Sequence, residues 1–178
     1  MLSQRLSKLL DHDLKKKSMA AVLVPLFDEV CPKIVMIRRS KGLSRSAGHI
    51  AFPGGMIEDG ESEVEAALRE VEEELGINPD KVDVLGFLKP REVMEYRIRI
   101  CPVVGMIDSL TFSPDGNEVS DILVDELRKV LKSRRITDWG PNFECAGQLV
   151  WGASSRVLDD LYLRIVNRYG SIDNFFSQ

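Results

Sequence analysis

The chain has 178 residues, a formal net charge of −4 at pH 7, 44% hydrophobic residues and 29% charged residues. That length suits one domain with a substantial core, and that composition excludes disorder as the main state. No apolar run approaches the ~20 residues of a bilayer-spanning helix, and the negative balance gives no general attraction to nucleic acid or anionic lipid. Cys31, Cys101 and Cys145 stand far apart with no C-x-x-C pair. They read as buried small hydrophobes, not as a disulfide framework or a zinc site.

Residues 1–17 read as an amphipathic N-terminal helix with basic residues, not a cleavable signal. A reducing cytoplasm is therefore the expected location. Ala20–Phe27 and residues 33–38 are short β-branched runs and read as strands. Residues 41–48, rich in Gly, Ser and Arg, read as a loop. A short strand follows over 49–52, ended by Pro53-Gly54-Gly55. Residues 61–75 read as a helix closed by Gly76. Residues 82–88 and 95–107 read as strands, 121–131 as a helix, 148–151 as a short strand and 154–169 as the terminal helix. The irregular alternation points to an α/β (α+β) fold, one layered domain over 1–178 with a mixed sheet between helices.

The 61–75 helix carries an unusual load of acid. At 100° per residue, Val64, Ala67, Leu68, Val71 and Leu75 share one arc that faces the core. Glu70, Glu73 and Glu74 fall within about a 100° arc beside it, with Glu63 a turn or more earlier. Glu70 and Glu74 form an i,i+4 pair of like charges, which weakens an isolated helix by a few tenths of a kcal/mol. Such a face is either solvated acid or a cluster of hard oxygen ligands suited to Mg²⁺ or Mn²⁺.

The spacing weighs on this choice. Starting at Gly55, the chain runs glycine, five residues, Glu61, seven residues, then Arg69-Glu70-Val71-Glu72-Glu73-Glu74-Leu75-Gly76-Ile77. Chance occurrence in a chain this long is of order one in a million. This segment, 55–77, resembles the Nudix box at every fixed position. The resemblance implies an α/β/α sandwich and hydrolysis of a nucleoside diphosphate linked to another group. It implies metal held by Glu70, Glu73 and Glu74 with help from the Gly55 backbone, and Arg69 and Glu61 as an orienting pair. For the general base it implies a box glutamate, Glu73 or Glu70, or a later loop acid such as Glu118 or Glu144. Of the two histidines, His12 reads as surface, and His49 as either a substrate contact or a structural strand residue.

Upstream stands Arg39-Ser40-Lys41-Gly42-Leu43-Ser44-Arg45-Ser46-Ala47-Gly48-His49-Ile50-Ala51-Phe52-Pro53-Gly54-Gly55. This resembles the segment that marks the coenzyme A diphosphatase branch, with Ser44 in place of its arginine, Ser46 of its histidine and His49 of its glutamine. Cys101-Pro102-Val103-Val104-Gly105 and Trp151-Gly152-Ala153-Ser154 resemble later stretches of the same branch. The resemblance implies that Arg39, Ser40, Arg45, His49, Phe52 and Gly54 bind a coenzyme A-like nucleotide. Arginine suits bidentate recognition of its 3′-phosphate. The expected reaction splits coenzyme A or an acyl derivative. ADP-ribose or a dinucleotide polyphosphate is the alternative substrate, and a non-catalytic nucleotide sensor is the alternative role. A homodimer is compatible with the family.

Overall fold

The computed structural model describes residues 1–43 and 45–177; Ser44, the branch departure noted above, and Gln178 lie outside them. In chain order the strands are β1 (Ala20–Phe27), β2 (Lys33–Arg39), β3 (Ile50–Ala51), β4 (Gly54–Met56), β5 (Val82–Phe87), β6 (Arg91–Val93), β7 (Ile98–Ile107), β8 (Val119–Glu126), β9 (Arg135–Thr137), β10 (Gly140–Cys145) and β11 (Gln148–Val150). The helices are α1 (Leu2–Ser7), α2 (Glu63–Leu75), α3 (Leu127–Lys132), α4 (Ala153–Tyr169) and α5 (Ile172–Phe176).

An eight-stranded mixed sheet runs in the order β3-β2-β1-β7-β5, with β4 on β1, β6 on β7 and β8 on β2. β1 and β7 pair in parallel from Ala20↔Ile100 to Leu26↔Met106, and the other ladders are antiparallel. The apolar runs of β1, β2 and β7 are continuous because both sheet faces are covered. Along β2, Ile34 and Met36 enter one core, and Val35 and Ile37 enter the other. The first core lies under α1, α3, α4 and α5, and the second under α2. This is the expected sandwich. A second, three-stranded sheet, β11-β10-β9, packs with the first core through Phe143, Cys145 and Val150.

α2 begins at Glu63, two residues later than expected, because Ser62 caps it. The Ser62 hydroxyl accepts from the Glu65 N–H and the Glu65 carboxylate accepts from the Ser62 N–H, a reciprocal box that fixes the start. Gly76, at φ 71°, closes the helix in the left-handed region. Ala66, Ala67, Val71 and Leu75 are fully buried, so the core-facing arc sits one residue toward Ala66 from the one expected.

Other expectations need correction. The N-terminal helix stops at Ser7, not residue 17, because Asp11 turns aside to bridge Phe87 through two backbone hydrogen bonds. Residues 119–126 form a strand, not a helix. They hydrogen-bond along β2 from Arg39↔Val119 to Lys33↔Glu126, and this ladder overrides the local helical spacing until Leu127. The strand expected over 95–107 begins only at Ile98, because residues 94–97 turn back to pair β7 with β6, a strand not expected from the sequence. Cys101 and Cys145 are buried as expected, and burial pushes both thiols up to about 12. Cys31 is exposed, in the turn between β1 and β2. No helix among the described residues is long and apolar enough to cross a membrane.

Candidate active site

Two sets of carboxylates share α2 and are handled differently. The first surrounds Arg69. Its guanidinium donates to both oxygens of Glu61, at 2.8 and 3.0 Å, to Glu70 at 3.0 Å, to Glu73 at 3.3 Å and to the Met56 carbonyl at 3.1 Å. Glu61 lies just before α2, where it also accepts the Glu58 N–H at 2.8 Å. The hydrogen bond from Arg69 holds the Glu61 carboxyl below the usual range. Glu61, first among its carboxylate partners, raises the Arg69 pKa above its ordinary value. This bidentate fork ties the loop before the helix to its middle turns.

The second set shares Glu70 with the first, but its most buried member, Glu74, has no such partner. One carboxylate oxygen each of Glu70, Glu74 and Glu118 lie within 4.8 Å of one another. Glu74 is 2% exposed, and its Oε2 is buried without a hydrogen-bond partner. Burial, and then the neighbouring Glu70 charge, push Glu74 up to about 8. Arg39 and the Gly54 amide oppose that shift without cancelling it. Burial also raises Glu70, partly offset by Arg69. A buried, unpartnered carboxylate beside two others is costly for a fold unless a cation completes it.

The backbone around this cluster is shaped for close approach. A Cβ on Gly55 would stand 2.6 Å from the Glu70 carboxyl carbon, and one on Gly54 would stand 2.6 Å from the Val22 Cα. Only glycine lets β4 lie over the carboxylates and against β1. The orphaned Glu74 oxygen, the glycine cradle and an all-carboxylate donor set therefore fit a hard divalent cation.

Glu118 enters from the loop before β8. The Ser40 N–H donates to the Glu118 carbonyl at 2.9 Å, and the Ser40 hydroxyl to the Gly116 carbonyl at 3.4 Å. The Asp115 N–H donates to the Glu74 carbonyl at 2.9 Å. Ser40, expected at the substrate, is thus buried against the Glu118 loop. Glu73, expected as a metal ligand, is exposed on the rim with Arg69 and outside the three-carboxylate cluster. Glu144 lies on β10 in the small sheet, its N–H on the Ser133 hydroxyl at 2.8 Å.

A cavity of about 290 Å³ adjoins the cradle, and Gly54 and Gly55 are in its wall. Arg39, Arg45, His49 and Phe52 also line it. Phe52 is buried, so it serves as floor and core together. His49 is exposed, its ring 4.8 Å from that of Trp151 and tilted 56°. His12 is exposed, as expected, on the Ser7 carbonyl. The basic stretch at the end of β2 divides its labour. Arg38 is engaged by Asp121, the Gln148 side chain and the Gly48 carbonyl, while Arg39 and Arg45 border the cavity. Tyr96 and Trp151 line the same cavity. Neither is among the site residues expected from the sequence: Trp151 stands out there only within its Trp-Gly-Ala-Ser stretch, and Tyr96 carries no motif.

The comparisons agree with this geometry. The NUDIX domain family matches residues 17–140. A Nudix hydrolase, NudL, of Pectobacterium atrosepticum is 34% identical over 166 residues, 84% of this chain and 83% of that protein. A Nudix hydrolase from M. smegmatis, RenU, shares the fold at a TM-score of 0.61 and 16% identity, covering 85% of this chain and 86% of that one. The NUDIX domain of Shewanella oneidensis NrtR, solved with ADP ribose, does so at a TM-score of 0.54 and 18% identity, covering 87% and 90%. With the box on α2, its carboxylates gathered under Gly54-Gly55 and most of the chain matched, the protein belongs to the Nudix family of hydrolases acting on nucleoside diphosphate derivatives.

Proposed function

We propose that the chain hydrolyses the diphosphate of coenzyme A or an acyl derivative, giving 3′,5′-ADP and the matching 4′-phosphopantetheine. The observation that carries this reading is the placement of Arg39 and Arg45 on the cavity that adjoins the glycine cradle. Coenzyme A has a 3′-phosphate beyond its diphosphate, and guanidinium groups beside a diphosphate site suit it. The resemblance of the 39–55 segment to the coenzyme A branch supports the same reading.

In this reading Glu70, Glu74 and Glu118, with the Gly55 backbone, hold Mg²⁺ or Mn²⁺. The bound cation supplies charge neutralisation at the diphosphate and makes water a stronger acid. Arg69 and Glu61 hold Glu70 in place. Glu73, outside the cradle on the same helix, accepts a proton from the attacking water. Water oxygen bonds to one phosphorus, the bridging P–O bond breaks, and the leaving phosphate keeps that bond's electron pair. The second reading is ADP-ribose, favoured by the ADP ribose bound to the NrtR domain of the same fold.

The test is turnover of coenzyme A, dephospho-coenzyme A and ADP-ribose with each metal, with products separated by chromatography. The expected result is release of 3′,5′-ADP with coenzyme A strongly preferred. Preference for ADP-ribose favours the second reading, and equal use of coenzyme A and its dephospho form removes the first.

A further inference from the structure

We propose that Tyr96 is a positioning residue for substrate discrimination, holding Arg45 at the mouth of the cavity to receive a phosphate monoester remote from the cleaved bond. The inference rests on the coenzyme A reading and names the group that reads its 3′-phosphate.

Two segments some fifty residues apart in the chain meet here. One is the turn at 94–97 joining β6 to β7, where Tyr96 and Arg97 close back on Val93 and Met94 through backbone hydrogen bonds of 3.2 and 3.3 Å. The other is residues 45–49, which lead into β3. The Ser46 N–H donates to the Tyr96 hydroxyl at 3.3 Å, and the Arg45 guanidinium lies over the Tyr96 ring, 5.1 Å from its centroid. The Arg45 carbonyl accepts the Arg39 Nε–H at 3.3 Å, so the side chains of Arg39 and Tyr96 both hold the backbone at 45–46. Both segments hold a non-glycine residue in the left-handed region, Ser46 at φ 50° and Arg97 at φ 52°. Such residues persist where surrounding contacts fix the backbone, and the Tyr96–Ser46 bond is such a contact.

The arginines nearby show what is distinctive about Arg45. Arg38 is consumed by Asp121, Gln148 and Gly48. Arg39 is close enough to Glu74 to lower its pKa. Arg45 has its guanidinium over an aromatic ring and no carboxylate within ion-pair distance among the described residues. A guanidinium held over a ring in this way keeps its N–H groups free for a ligand, and the ring limits where it can swing. Arg45, Ser46, Tyr96 and Trp151 line the same cavity as Gly54 and Gly55. A nucleotide whose diphosphate sits on the cradle can therefore present a second phosphate to this fork.

The experiment compares coenzyme A with dephospho-coenzyme A, which differ only in that phosphate, using the wild type, Tyr96→Phe and Tyr96→Leu. Tyr96→Leu should raise the KM for coenzyme A roughly fivefold, the loss expected for a cation–π contact, with kcat at saturation unchanged. The KM for dephospho-coenzyme A should not move. Tyr96→Phe keeps the ring and should restore most of the preference. Equal KM increases for both substrates, or a preference that survives Tyr96→Leu, overturns the inference and leaves the coenzyme A reading standing. A wild type that does not distinguish the two substrates overturns the coenzyme A reading itself and this inference with it.

Discussion

The two acidic groups of α2 differ in whether the protein supplies their counter-charge. Around Arg69, one guanidinium serves Glu61, Glu70 and Glu73, and nothing is left wanting. Five residues on from Arg69, Glu74 is more deeply buried than any of these and has an oxygen without a partner. Folding would not leave such a group unless something else completes it, because a hydrophobic replacement would be more stable. The comparison separates an acid whose charge the protein answers, Glu61, from one that it leaves unanswered, Glu74, within one motif, with Glu70 belonging to both groups.

The most severe way to break this comparison is Glu74→Gln. Turnover should fall at least about a thousandfold, the scale of losing several kcal/mol of transition-state charge stabilisation. Above about pH 5 the metal-free variant should melt above the wild type, since a neutral amide is spared the burial cost that pushes Glu74 up to about 8, a cost that grows as pH rises from the ordinary carboxyl range to that value. Added Mn²⁺ should raise the wild-type Tm, because a ligand that binds only the folded state stabilises it, and should leave the variant unmoved. A metal-free variant less stable than the wild type would contradict the strained-cradle account.

Glu73→Gln sharpens it. This acid lies outside the cluster, so the Mn²⁺-induced rise in Tm should survive while kcat falls about 10²- to 10³-fold, the range of a lost general base. Loss of the metal response instead would return Glu73 to the ligand set. The smallest effect should come from Arg69→Lys, which keeps the charge and loses the fork. Metal affinity measured by titration calorimetry should fall about 10- to 100-fold, as for other groups that orient a ligand, with a modest drop in Tm.

Much of this was legible in the residues. The box spacing placed the helix, its Gly76 end and the acids beside the core-facing arc. It could not say which acid is buried. Glu70, Glu73 and Glu74 share an arc of α2, but the wheel gives an angle and not a depth. Depth is set by β4, whose Gly55 lies on the Glu70 carboxylate and whose Gly54 amide faces Glu74, while Glu73 stays at the rim. Glu118 and Glu144 were equal as loop acids in sequence. Pairing of β8 with β2 and the hydrogen bonds from Ser40 bring one of them to the cluster, and the three-stranded sheet carries the other elsewhere. β8 itself was misread as helix because spacing over eight residues is weak evidence against a long-range ladder. Tyr96 reaches the cavity only because the 95–107 stretch breaks into a turn.

The central claim is that Glu70, Glu74 and Glu118 together form the metal cradle. Its most direct test is Mn²⁺ titration of the wild type, Glu118→Gln and Glu144→Gln, followed by electron paramagnetic resonance of the free ion. The account predicts at least tenfold weaker binding for Glu118→Gln and wild-type binding for Glu144→Gln. Wild-type affinity in Glu118→Gln would contradict it.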